Sequence, residues 1–227
     1  MTRRLEHYIS RADRIVFVCG AGISTAAGVS DFKTLYKKDP KIRDALTRNR
    51  HSPRALSRFL LAFSGTRSSS TSVHEFMRRV EEGGKLLRCY TMNIDGMEHF
   101  DDMDKVRFVH GRIDDPGRCG RKRVETRQLL KIAASKGGIE GFEAAEGCRL
   151  RPGFVMYGDE IRHFDEMQTD LQRADLIIVL GSQMAVEPVA SLVREHRRKV
   201  VCVNNEPVKG LKTHIGNLDT VCSGLTV

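Results

Sequence analysis

Tryptophan is absent from this 227-residue chain, and proline and cysteine occur only six times each. So few prolines, beside twenty glycines, exclude collagen-like and low-complexity classes. Six cysteines are too sparse for a disulfide scaffold, and Cys19 and Cys202 sit inside apolar runs, so a reducing compartment is expected. No run approaches the roughly 18 consecutive apolar residues of a membrane helix. The Ile15–Cys19 run behind Met1-Thr2-Arg3-Arg4-Leu5-Glu6 is too short for a signal peptide, so an intracellular protein without membrane attachment is expected.

What is present is ordinary globular material. Apolar residues make up 40% and charged residues 30%, and a chain this long buries a core without covalent staples. At about one and a half times a typical domain of roughly 150 residues, it suits one large domain or one with a small attached module. The net charge, 38 − 29 = +9, permits contact with DNA or another polyanion. Clusters such as Arg121-Lys122-Arg123 and Arg197-Arg198-Lys199 are scattered and mixed with acids, as solvated faces are.

Six short apolar runs recur: Ile15 to Cys19, Leu86 to Thr91, Val106 to Val109, Phe154 to Tyr157, Leu176 to Leu180 and Val200 to Val203. Their near-continuous apolarity predicts parallel strands buried on both faces. Helical patterns lie between them at Ala55 to Phe63, Val73 to Glu82, Val124 to Ala134, Asp165 to Arg173 and Val189 to Arg197. The rhythm predicts an α/β protein, a Rossmann-like parallel sheet with helices on both faces. Residues 36–72 and 112–149 break it and are expected to form a smaller inserted lobe. The large lobe is then about residues 1–35, 73–111 and 150–227.

In such a sheet the ligand lies beyond the carboxyl ends of the strands. There the chain places Gly20-Ala21-Gly22-Ile23-Ser24, Met92-Asn93-Ile94-Asp95-Gly96, His110-Gly111, Gly158-Asp159-Glu160, Gly181-Ser182-Gln183-Met184 and Asn204-Asn205-Glu206. Gly20 and Gly22 after a strand suit close approach of a pyrophosphate, although the usual third glycine is replaced by Thr25. An Asn-x-Asp pair by itself is more often a turn, because both side chains bond local backbone.

Taken in order, these segments resemble the sirtuin, or Sir2-like, family of NAD-dependent protein deacylases. Gly28-Val29-Ser30-Asp31-Phe32-Lys33, Thr91-Met92-Asn93-Ile94-Asp95-Gly96 and Arg151-Pro152-Gly153-Phe154-Val155-Met156-Tyr157-Gly158 carry much of the likeness. The stretch from His74-Glu75-Phe76 to Gly84-Lys85-Leu86-Leu87-Arg88 looks most like the fungal nuclear branch that acts on histone H3. The resemblance implies a single catalytic domain of the deoxyhypusine synthase-like NAD-binding fold. It also implies transfer of an acyl group from protein lysine to ADP-ribose with release of nicotinamide. A nucleus is favoured over the cytoplasm, and an acylated protein lysine, with a histone as candidate, is the implied partner.

Carried over residue by residue, His110 matches the general base, and an imidazole pKa near 6.5 suits that task. Asn93 and Asp95 match the nicotinamide pocket, Ile94 and Phe32 its apolar walls and Asp31 its floor. Gly20, Ala21, Gly22 and Ser24 match one side of the pyrophosphate, Gly181 and Ser182 the other, and Asn204 with Glu206 the adenine ribose. Lys33, Met92, Gln183, Asn205 and Leu218 are also assigned to the cofactor. Val155 and Tyr157 match the acyl-lysine tunnel, with Met156 and Gly158 beside the substrate. Apolar tunnel walls favour a neutral acyl-lysine over a charged ammonium.

The pattern also departs from the family. Its zinc module is two Cys-x-x-Cys pairs, but Cys119 is followed by Lys122 and Cys148 is preceded by Ala145, so zinc is not expected and both cysteines read as remnants. The small lobe is therefore expected to rely on apolar packing or to be partly disordered. Lys33 stands for an arginine, Met92 for a glutamine, Ser30 for a proline and Gln183 for a serine. These changes leave two further readings open: a weakened NAD- or ADP-ribose-binding or chromatin-associated module, and a mono-ADP-ribosyltransferase.

Overall fold

The computed structural model describes residues 2–29, 34, 37, 40, 52–63, 70–98, 100–156 and 158–227. Strands β1 (Ile15–Cys19), β2 (Leu86–Thr91), β3 (Val106–Phe108), β7 (Leu176–Leu180), β8 (Val200–Asn204) and β9 (Thr213–Ile215) form one sheet in the order β3-β2-β1-β7-β8-β9. All its pairings are parallel. A small antiparallel sheet joins β4 (Gly117–Cys119), β5 (Lys122–Val124) and β6 (Leu150–Arg151).

Alternation along β1 divides the core in two. Ile15, Phe17 and Cys19 face α1 (Thr2–Arg11), α3 (Ser72–Glu82) and α8 (Leu218–Ser223), where they pack with Leu5, Phe76 and Leu218. Val16 and Val18 face α6 (Phe164–Arg173) and α7 (Val189–Glu195), packing with Leu171 and Val193. Burial on both sides explains why these strands are apolar at every position. Asp170 of α6 accepts from Tyr90 Oη at 2.9 Å and Arg88 Nε at 3.1 Å, fixing that helix across β2.

A third apolar cluster lies beside the small sheet. It joins Phe59 and Leu60 of α2 (Pro53–Phe63), Leu129 of α4 (Thr126–Ala134), Ile139 of α5 (Gly138–Glu146), Ile94 and Phe154. The run Phe154 to Tyr157 does not form the strand expected of it. Phe154 and Val155 lie in irregular backbone, Phe154 sets its ring 5.4 Å from that of Phe59, and Tyr157 lies outside the described residues. The apolar side chains here serve the small-lobe core and the wall of a cleft, so their pattern is strand-like without a ladder. Helix α7 also ends at Glu195, short of the expected Arg197, before a single 3₁₀ turn at Arg197–Lys199.

Apolar packing is not the only support of the small lobe. Cys119 on β4 and Cys148, after α5, form a disulfide with Cα atoms 5.5 Å apart. The two cysteines, expected only as remnants of a zinc site, are thus joined to each other. The remaining cysteines, Cys19, Cys89, Cys202 and Cys222, are free and buried. The bridge spans 29 residues of sequence, and closing a loop of that size stabilises a fold by about 3.6 kcal/mol in the chain-entropy account. Cys148→Ser is therefore expected to lower the unfolding free energy by roughly that amount. Urea titration with and without reductant checks this, since the variant should be insensitive to reductant and the parent sensitive.

Candidate active site

The order of the sheet places β1 between β2 and β7, and the chain departs from β1 in both directions. A crevice at the carboxyl edge follows from this reversal. Along it lies a cleft of about 210 Å³ lined by Ala21, Met92, Asn93, His110, Val155 and Ser182, among others. Its apolar wall comes from Ile94, Phe59, Phe154, Ile161 and Val186. A second cavity, about 520 Å³, adjoins it through Val155, Met156 and Gly158 and is bordered by Arg149, Arg151 and Arg162.

Two turns meet backbone to backbone at one end of the cleft. Gly22 N–H donates to Gly181 O at 2.9 Å, and Gly20 N–H to Leu180 O at 2.9 Å. A Cβ on Gly22 would come 2.7 Å from Gly181 Cα, and one on Gly20 would come 2.7 Å from Ser182 Cβ. Gly181 has φ +61°, and a Cβ there would sit 2.6 Å from Ile23 N. These glycines are demanded by the contact between the turns, a reason the sequence alone did not reveal. Ser24, at the end of the first turn, is buried, and its hydroxyl makes no hydrogen bond among the described residues.

Asn93, 4% exposed, donates through Nδ2 to Gly20 O at 3.2 Å and to Glu98 Oε1 at 3.0 Å. Asp95 Oδ1 accepts from Met97 N at 3.0 Å. Burial raises the Asp95 pKa; the Met97 N–H and the nearby Ser24 hydroxyl, which falls short of hydrogen-bond geometry, act in the opposite direction. His110 Nδ1 lies 2.9 Å from Met92 O. A carbonyl only accepts, so Nδ1 carries the proton and Nε2 holds the lone pair. Burial lowers the His110 pKa against the pull of that bond, so the ring is neutral at pH 7. The His110 carbonyl in turn accepts from Val155 N at 2.7 Å, tying the wall of the cleft to the end of β3.

Other expected site residues lie further out. Asn204 donates to Glu206 O at 3.1 Å and Gln183 Nε2 to Glu206 Oε2 at 3.3 Å, gathering the turns after β7 and β8. Asn205 is exposed. Leu218 is buried in the core with α3 and is not among the cleft-lining residues. Asp31, Phe32 and Lys33 lie outside the described residues, as does Tyr157. Glu98 was missed by sequence reasoning: an acid three residues after Asp95 reads as solvated, yet it is fully buried. Among the described residues no group of three or more His, Cys, Asp or Glu could hold a metal ion. With Cys119 and Cys148 bonded to each other, the residues present do not fit the tetrathiolate zinc site of the resembled family.

A model of the Sir2 family matches residues 20–188. The chain belongs to the Sir2 family. Sir2 relatives include the NAD-dependent protein deacetylase SIR2rp1 of Leishmania major, 30% identical over 91% of this chain and 61% of that protein. Another is an NAD-dependent protein deacetylase of Bacillus subtilis, 28% identical over 88% of this chain and 87% of that one. A Sir2 structure with a deacetylated p53 peptide and 3'-O-acetyl-ADP-ribose superposes with TM-score 0.77 at 23% identity, covering 97% of this chain and 94% of that one. The chain spans between 40% and 61% of the length of the curated Sir2 relatives from Leishmania major, Caenorhabditis elegans and Dictyostelium discoideum.

Gly181→Ala adds both a left-handed Cβ penalty and a backbone clash, and is expected to destabilise by at least about 2 kcal/mol. A thermal melt within a degree of the parent would show that the two turns do not bear on each other as described.

Proposed function

We propose that this chain is an NAD-dependent protein-lysine deacylase that passes the acyl group to ADP-ribose and releases nicotinamide. The observation that carries this reading is His110, neutral, with Nδ1 committed to Met92 O, in one cleft with Asn93 and an apolar wall. Sir2 membership supports it, as do the Leishmania major and Bacillus subtilis relatives, both NAD-dependent protein deacetylases.

The buried, unbonded Ser24 hydroxyl beside the Gly20–Gly22 turn suits a polyanionic ligand, and with Ala21 and Ser182 it would hold the pyrophosphate of NAD. When bound, NAD supplies the ribose electrophile and the nicotinamide leaving group. His110 Nε2 is the nitrogen able to take a proton there. Val155, Met156 and Ile161 keep water from the acyl-lysine and select its neutral form. Asn93 and Asp95 would meet the nicotinamide, with burial raising the pKa of the carboxylate.

The reading commits to nicotinamide and acetylated ADP-ribose as products from NAD and an acetyl-lysine peptide, detected by mass spectrometry. His110→Ala is expected to slow this at least about 100-fold. No nicotinamide release across acetyl, succinyl and long-chain acyl peptides rejects it, and label moving from NAD onto protein instead selects ADP-ribosyl transfer.

Within that activity, histone lysines in the nucleus are the substrate class favoured, supported by the Candida albicans relative, an NAD-dependent histone deacetylase 29% identical to this chain. A chromatin role with DNA contact is supported by Arg11, Arg197 and Arg198, which border a cavity of about 260 Å³ at the amino edge of the sheet, opposite the cleft. Duplex DNA should bind more weakly as salt rises, and Arg197→Glu with Arg198→Glu should reduce the slope by about two. An unchanged slope removes this face from the proposal.

A further inference from the structure

The floor of the cleft is a closed hydrogen-bond ring around a carboxylate that the reaction outlined above does not use. Glu98 is 0% exposed. Its Oε1 accepts from Thr91 Oγ1 at 2.6 Å and from Asn93 Nδ2 at 3.0 Å. Thr91 Oγ1 accepts in turn from Asn93 N at 3.0 Å, and Gly20 O takes the other Asn93 amide hydrogen at 3.2 Å. Glu98 Oε2 has no hydrogen-bond partner among the described residues.

This arrangement allows one orientation of the Asn93 carboxamide. Both its donors are engaged by acceptors, Glu98 Oε1 and Gly20 O. If the amide turned over, its oxygen would face those same two acceptors and gain nothing. Oδ1 is thus the atom left for a ligand in the cleft. The bond from Glu98 is charge-assisted when the carboxylate is ionised, and such bonds are roughly twice as strong as neutral ones.

We propose that Glu98 is a positioning residue for the reaction: its buried carboxylate locks the Asn93 side chain with Oδ1 presented to the cleft, and protonation loosens that lock. This rests on reading Asn93 as part of the NAD site. The groups facing Glu98 are Asp95 from its own loop, the thiol of Cys19 on β1 and that of Cys89 on β2. Burial raises both thiols, so they are neutral at pH 7. Burial first, then the Asp95 charge, pushes Glu98 up to about 7, against the Thr91 hydroxyl, its own N–H and the Asn93 amide.

The sign of the linkage separates positioning from structural support. A carboxylate whose folded pKa lies above its unfolded value contributes stability below the unfolded pKa and loses it as pH rises through the folded one. The ionised form that grips Asn93 most firmly therefore lowers the stability of the fold at pH 8. A carboxylate that stabilises the fold in its ionised form would have a depressed pKa and behave in the opposite way.

Glu98→Gln at pH 8 is expected to slow nicotinamide release about tenfold while leaving the thermal midpoint equal to or above the parent. In an Asn93→Ala background the same change should slow the reaction no further, because Glu98 acts through Asn93. An equal slowing in both backgrounds overturns the proposal, as does full activity of Glu98→Gln. A readout independent of turnover is the ¹⁵N side-chain signal of Asn93, assigned by its loss in Asn93→Ala. It should shift with a midpoint near pH 7 in the parent and cease to titrate in Glu98→Gln; an amide pair that does not titrate in the parent also overturns the proposal. If the parent releases no nicotinamide, the deacylase reading fails, while this signal still decides whether the lock exists.

Discussion

The turns after β1 and β7 touch backbone against backbone, and the crevice opens beside that contact. Gly22 N–H reaches Gly181 O at 2.9 Å, and no side chain fits between them. The closeness brings the ends of two central strands together and leaves the crevice on the side where β2 and β3 end. From there Asn93 and His110 enter it, and Val155 closes it through its bond to the His110 carbonyl.

The cleft concentrates groups that water would otherwise stabilise. Burial raises Asp95 and Glu98 and lowers His110, so each is displaced toward its neutral form. Such a site opposes folding, and the opposition is met elsewhere. Two apolar layers, one on each face of a six-stranded sheet, hold the scaffold. A third apolar cluster and the Cys119–Cys148 bridge hold the small lobe that forms the outer wall.

Parallel strands were legible because double-sided burial leaves an unbroken apolar record, as in Ile15–Cys19 and Leu176–Leu180. The small sheet was not, since Lys122–Val124 is exposed at two of its three positions and Leu150–Arg151 is two residues long. The Phe154 segment shows the reverse error, for apolar side chains can serve a lobe core or a cleft wall without backbone pairing. Glu98 left no signal of its burial, because nothing in Asp95-Gly96-Met97-Glu98 tells which way the loop folds.

The amino-acid sequence by itself determined the α/β class, the strand ends that carry Asn93, Asp95 and His110, and the family to which their order belongs. These depend on residue type and spacing along the chain. Only the tertiary structure decided that Gly20 and Gly22 serve a contact with Gly181, that Cys119 finds Cys148, and that Glu98 grips Asn93. Each of these is a meeting across the fold within a few ångströms, and distance in space is what a linear sequence does not record.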